Sequence, residues 1–119
     1  MKRISSDGPF EAVVGYARAV VAGGFVHVSG TVGDGKDVVA QCQDALNRIS
    51  AALDEAGCGF SDVVRVTYML PNRADFEACW PILRATFGRH PPAATMIECG
   101  LINPKYLIEI ELTARLPAP

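Results

Sequence analysis

The stretch that decides the fold is Tyr106-Leu107-Ile108-Glu109-Ile110-Glu111-Leu112-Thr113. It alternates as a half-buried β-strand does, because successive side chains of a strand point to opposite faces. Tyr106, Ile108, Ile110 and Leu112 fall on one face; Leu107, Glu109, Glu111 and Thr113 fall on the other. Two carboxylates side by side on the second face must be solvated, paired or used.

Further strands read outward from this one. Phe25-Val26-His27-Val28-Ser29-Gly30 places Phe25, His27 and Ser29 on one face and Val26 and Val28 on the other, and the preceding Gly23-Gly24 reads as a hairpin turn closing the apolar segment 10–22. Val63 to Leu70 alternates with Val64, Val66, Tyr68 and Leu70 together and Val63, Arg65, Thr67 and Met69 opposite, ending at Pro71-Asn72. Ala93 to Cys99 is another strand candidate, and the last runs over 106–114.

Two helices separate the strands. Over 38–56, Val38, Val39, Cys42, Ala45, Leu46, Ile49, Ala52, Leu53 and Ala56 recur at helical spacing, with Asp37 as N-cap and Gly57 as C-cap. From Arg73 to Gly88 a second helix buries Phe76, Trp80, Leu83 and Phe87, and Pro81 predicts a break or a tightened turn inside it. The order β-β-α-β-α-β-β describes an α+β domain spanning 1–119, a sheet covered on one face by two helices. The uncovered face carries Ser29, Thr67, Glu109 and Glu111 together with Met69 and Leu107, a mixture that points to a subunit interface.

Composition bounds the function. The chain has 119 residues, half of them hydrophobic, and a formal net charge of −2. That charge supplies no drive toward nucleic acid or an anionic membrane. No apolar run approaches the ~20 residues of a membrane span, and the first residues lack the apolar block of a signal peptide, so a cytoplasmic location is expected. Cys42, Cys58, Cys79 and Cys99 form no CxxC pair and have no histidine at ligand spacing, so neither a zinc site nor a disulfide framework is expected. His27 on a strand face reads as a packed, hydrogen-bonded histidine.

Four pieces, in this order and spacing, resemble the RidA (YjgF) superfamily of reactive-intermediate deaminases: Phe25–Gly30, Ala51–Gly57, Asp62–Leu70 followed by Asp75-Phe76, and Ile108–Ala114. The resemblance implies a chorismate-mutase-like fold and a homotrimer with a central barrel. It implies small-molecule clefts between subunits that hydrolyse enamine or imine acids without a cofactor. The family's water-activating glutamate maps on Glu109 and its cleft tyrosine on Tyr16. Ser29 and Gly30 would line the same cleft, with Trp80 and Met96 replacing an asparagine and a cysteine.

One family residue is missing. The arginine that clamps the substrate carboxylate maps on Ala94, within Pro92-Ala93-Ala94-Thr95-Met96. Alanine cannot form a bidentate, charge-assisted pair, and loss of such a contact costs on the order of 2–5 kcal/mol when the partner charge is buried. Arg18, Arg73 and Arg89 are the candidates for a replacement cation, although a solvated surface arginine is the commoner fate of such residues. Two functions stand open: hydrolysis of an imine or enamine with an altered substrate range, and a trimer that binds a ligand or regulates without turnover.

Overall fold

A computed structural model describes residues 1–118. The elements run β1 (Lys2–Ile4), α1 (Pro9–Val14), β2 (Ala19–Ala22), β3 (Phe25–Thr31), α2 (Val38–Ala56), β4 (Val63–Leu70), α3 (Phe76–Phe87), β5 (Ala93–Glu98) and β6 (Glu109–Arg115). Single 3-10 turns at Phe60–Asp62 and Arg73–Asp75 lead into β4 and α3. The strands form one six-stranded sheet in the order β1-β2-β3-β6-β4-β5. Among the described residues only β4 and β5 are parallel, joined by the crossover through α3; the other neighbours are antiparallel.

Local chemistry accounts for these elements. Gly23 and Gly24 both have positive φ, at 60° and 82°, which the tight turn between β2 and β3 requires and which other residues adopt reluctantly. The Asp37 side chain accepts the Ala40 N–H at 2.8 Å and caps α2, and Gly57 ends the helix in the left-handed conformation. The apolar stripe of α2 and the Cys79, Leu83 and Phe87 side of α3 pack on Val26, Val28, Val66, Tyr68, Leu70, Ile108, Ile110 and Leu112. Burial of this apolar surface drives folding. The opposite sheet face has no helix on it and carries Phe25, His27, Arg65, Thr67, Glu109, Glu111 and Thr113.

The expected α+β architecture, with two main helices on one sheet, is present. Its details differ from the sequence reading in five places. The segment 10–22 is not one strand; Pro9–Val14 is a short helix beginning with proline, and β1 adds an edge strand that the pattern of three residues was too short to reveal. Val63, not Val64, is buried, because the register slips between Val63 and Arg65 and the bulge turns Val64 out to solvent. Helix α3 runs unbroken through Pro81, preceded by the 3-10 turn at its start. Trp80 is half exposed, and Cys79 fills the buried position expected of it.

The last strand begins at Glu109, not Tyr106. The cause is Gln41, a buried side chain on α2. Its Oε1 accepts the Leu107 N–H at 2.8 Å, while its Nε2 donates to Lys105 O at 3.1 Å and Gly35 O at 3.2 Å. The backbone at 105–107 therefore bonds to a helix side chain instead of a neighbouring strand. This clamp fixes where β6 starts, and with it the position of Glu109.

Candidate functional site

The expected site residues fall into two groups. Ser29, Gly30 and Glu109 come together where β3 meets β6, and Tyr16 is linked to them through Arg18, which lies by its ring and donates to Gly30 O. The Ser29 hydroxyl donates to Ala17 O at 2.7 Å and ties β3 to the segment after α1. The carboxylate of Glu109 lies directly against the bare Cα of Gly30, where any side chain would overlap it. Proximity of this kind needs a glycine for space, not for backbone conformation.

Burial pushes the Glu109 carboxyl above its ordinary pKa; the positive charge of Arg18 opposes the rise and the neighbouring Glu111 adds to it. Glu111 is exposed. It lines a different depression on the open sheet face, about 300 Å³, with His27, Arg65, Thr67 and Thr113. The two carboxylates of β6 thus occupy unlike environments.

Arg18, one of the three candidate cations of the sequence, is the one that the fold brings to this cluster. Its Nη2 donates to Gly30 O at 2.9 Å, and its guanidinium carbon lies 5.7 Å from the centroid of the Tyr16 ring. Gly30 therefore anchors the cation through its carbonyl and makes room for the carboxylate at its Cα. Behind Arg18 the buried Glu11 accepts hydrogen bonds from the hydroxyls of Ser5 and Ser6 and from Ser6 N–H. Burial pulls the Glu11 carboxyl up, but these hydrogen bonds and the Arg18 charge outweigh it and hold it below its usual value. The glycine between β3's serine and threonine was a usable sequence signal for Glu109; nothing comparable marked Arg18, which differs from other arginines only in where the fold puts it.

Trp80, Ala94 and Met96 form the second group, on the helix-covered side of the sheet at its β5 edge. They line an apolar groove of about 290 Å³ with Tyr68, Leu83 and Pro92. Ala94 pairs in register with Val66 and Met96 with Tyr68, whereas Glu109 pairs with Met69 on the open face. Within one chain the two groups do not meet. Of the other two candidate cations, Arg73 approaches Glu98 at 3.9 Å with its side chain 87% exposed, and Arg89 is exposed. Among the described residues no three of His, Cys, Asp and Glu converge as metal ligands, and no helix is long and apolar enough to cross a membrane. The cysteines are free, Cys42 and Cys79 being buried between α2 and α3.

These features define a class: a single mixed sheet backed by two helices, with a half-buried glutamate on one face and a groove lined mostly by apolar side chains at one edge. The chain belongs to the YjgF/RidA family, its residues 7–116 matching the family model described as endoribonuclease L-PSP. Among solved structures it is similar to Rv2704 of Mycobacterium tuberculosis, a member of the YjgF/YER057c/UK114 family, at 40% identity and a TM-score of 0.93, covering 97% of this chain and 98% of that one. It is similar to the YjgF-family protein NMB1025 of Neisseria meningitidis at 26% identity and a TM-score of 0.87, covering 98% and 96%. The RutC family protein UK114 of Drosophila melanogaster is 31% identical over 121 residues, 95% of this chain and 88% of that protein.

Proposed function

We propose that this protein hydrolyses small imines or enamines to a carbonyl compound and ammonia, in clefts between subunits of a homotrimer. The observation that carries the reading is Glu109 against Gly30: a carboxylate partly removed from water, whose proton affinity is raised by that burial. A base so placed is suited to take a proton from water near neutral pH. Water oxygen adds to the imine carbon while Glu109 takes one water proton and hands it to the imine nitrogen, giving a carbinolamine, with the Tyr16 hydroxyl orienting the substrate. Glu109 then takes the remaining hydroxyl proton and delivers it to the amine nitrogen as the carbonyl forms, the C–N bond breaks, and ammonia leaves. The overall change, imine plus water to carbonyl plus ammonia, is redox-neutral and returns Glu109 to its starting state.

The trimer is supported by β5. Among the described residues its outer edge has no strand partner, and Met96 and Ile97 on it are 53% and 44% exposed. Such an edge needs a cover. A neighbouring chain docked there would bring the Trp80, Ala94 and Met96 groove of one chain to the Tyr16, Gly30 and Glu109 cluster of the next. The cleft assembled this way has an apolar wall where Ala94 replaces an arginine, so its substrate range differs from that of family members with the clamp.

Ala94 is also the observation favouring the second reading, a trimer that binds its ligand without turnover. Ammonia release from imines freshly generated by an amino-acid oxidase separates the two. Release that disappears in Glu109→Ala supports hydrolysis; ligand binding with no release from any imine supports the binding trimer. The endoribonuclease in the family description gains nothing from this chain's formal net charge of −2.

A further inference from the structure

We propose that the open sheet face docks a second copy of this chain through an ion pair between chains, Arg65 of one with Glu111 of the next, and that this pair sets the register of the assembly. The inference rests on the trimer of the reading above and goes beyond it by naming the contact that decides which surfaces meet.

Three observations carry it. First, the two charges share a face yet stay apart. Arg65 on β4 stands opposite Thr113 of β6, and Glu111 of β6 stands opposite Thr67 of β4, so the two are diagonal neighbours. Diagonal cross-strand residues lie about 7–8 Å apart, within reach of long side chains. Both residues are exposed, and among the described residues no ion pair joins them. Arg65 turns away instead and donates to Thr95 Oγ1 on β5 at 2.6 Å. A neutral hydroxyl fixes the guanidinium without answering its charge.

Second, the charges are displaced across the sheet. The strand order β3-β6-β4-β5 puts the guanidinium of Arg65 on the β5 side and Glu111 on the strand next to β3. A ring of copies closes through contacts in which one patch of a chain meets a different patch of the next. Opposite charges on the two sides of one face suit such a contact.

Third, the docking argued above from the β5 edge brings these two sides together. Thr95, which holds Arg65, lies in register with Thr67 on the open face of β5, and Glu111 shares its strand and face with Glu109. A depression of about 300 Å³ beside Arg65 and Glu111 leaves room for an incoming side chain. The other charges of this face are placed elsewhere: Arg115 at the end of β6 opposite Phe25, Arg3 on the β1 edge opposite Val20, and Glu109 near Arg18.

The test is the mass of the full chain by light scattering over a range of concentrations. Wild type is expected to be a trimer. Arg65→Glu and Glu111→Arg are each expected to raise the concentration at which the trimer dissociates by about a hundredfold or more, since like charges set against one another disfavour docking. Both reversals in one chain should restore the trimer, and Lys36→Glu, on an exposed loop, should leave it unchanged. Mixing the two single variants should give trimers containing both chains, because most contacts of a mixed ring again join unlike charges. Single reversals that stay trimeric overturn the proposal. So does a double reversal that assembles while the mixture does not, since the pair would then lie within one chain. If a reversal does not fold, Arg65→Gln, Glu111→Gln and their combination serve. Each is expected to weaken assembly about tenfold, with the combination no weaker than either alone, and effects that multiply overturn the proposal. A wild type that is not a trimer sinks the trimer reading as well, so its mass tells the two failures apart.

Discussion

Glu109 and Gly30 occupy one another's space: the glutamate carboxylate lies where a side chain on residue 30 would be. The obstructing atoms are the far end of a flexible side chain, so Gly30→Ala is expected to fold and to melt within a few degrees of wild type. It should nonetheless push the carboxylate out of position and lower imine turnover by about a hundredfold, as small displacements of a reacting group do. Paired melting curves and ammonia-release rates check this; a loss of stability as large as the loss of activity would show a structural role only.

Removing the charge at residue 109 should separate stability from activity. The folded-state pKa of Glu109 is raised, chiefly by burial. Above that pKa the folded protein holds a charge that burial penalises; below the ordinary carboxylate value both states are protonated and the penalty is gone. Glu109→Gln is therefore expected to match or exceed wild type in thermal stability at neutral pH. The advantage should shrink as pH falls through the folded pKa toward the ordinary value. A Glu109→Gln protein less stable than wild type at neutral pH and equal to it in acid would reverse the sign and contradict this reading.

Glu11 should behave oppositely. Despite the upward pull of burial, its hydrogen bonds to Ser6 and Ser5 and the Arg18 charge keep its folded pKa low. Its contribution is then present above the ordinary carboxylate pKa and is lost as pH falls through the folded pKa. Glu11→Ala is expected to cost about 1–3 kcal/mol at neutral pH by leaving the serine donors unpaired. Denaturant melts at neutral and acid pH check both the cost and its disappearance in acid.

Gln41→Ala removes three hydrogen bonds that hold residues 35 and 105–107. A loss of roughly 1–3 kcal/mol is expected, since three part-buried hydrogen bonds of a buried side chain are removed together. Hydrogen exchange should quicken first at Leu107, whose N–H loses its acceptor. Unchanged protection there would show that the start of β6 is fixed by something else.

Pro81→Ala tests the helix. Pro81 stands inside α3 and leaves the Glu77 carbonyl without its helical donor. Alanine there is expected to raise stability by about 1–3 kcal/mol. A destabilised variant would mean that the proline ring packs or rigidifies in a way that outweighs the missing bond.

Period-two and period-3.6 patterns made the sheet, both long helices, the Gly23-Gly24 turn and the caps of α2 legible, because each rests on local chemistry that tertiary contacts did not override. What was not legible required long-range information. The bulge that buries Val63 depends on pairing with Ala114, and the late start of β6 depends on Gln41, a polar residue that sits on α2's buried side beside Val38, Cys42 and Ala45. That Gly30 and Glu109 lie together was readable from alternation and family resemblance. The seating of Arg18 on Gly30 was not, because a residue in a bend before a strand carries no periodic signature. Nor does the sequence show that Trp80, Ala94 and Met96 lie across the sheet from Glu109; that follows only from strand order and register.

The central claim is that Glu109 activates water for imine hydrolysis. The most direct measurement is the rate of ammonia release by wild type and Glu109→Gln on imines generated in place by an amino-acid oxidase, with both proteins shown to be folded. Catalysis by wild type above the uncatalysed rate, reduced by a factor on the order of 10²–10⁴ in Glu109→Gln, is the predicted result. Equal rates in the two proteins, or none above background in wild type on any imine, charged or neutral, would contradict it.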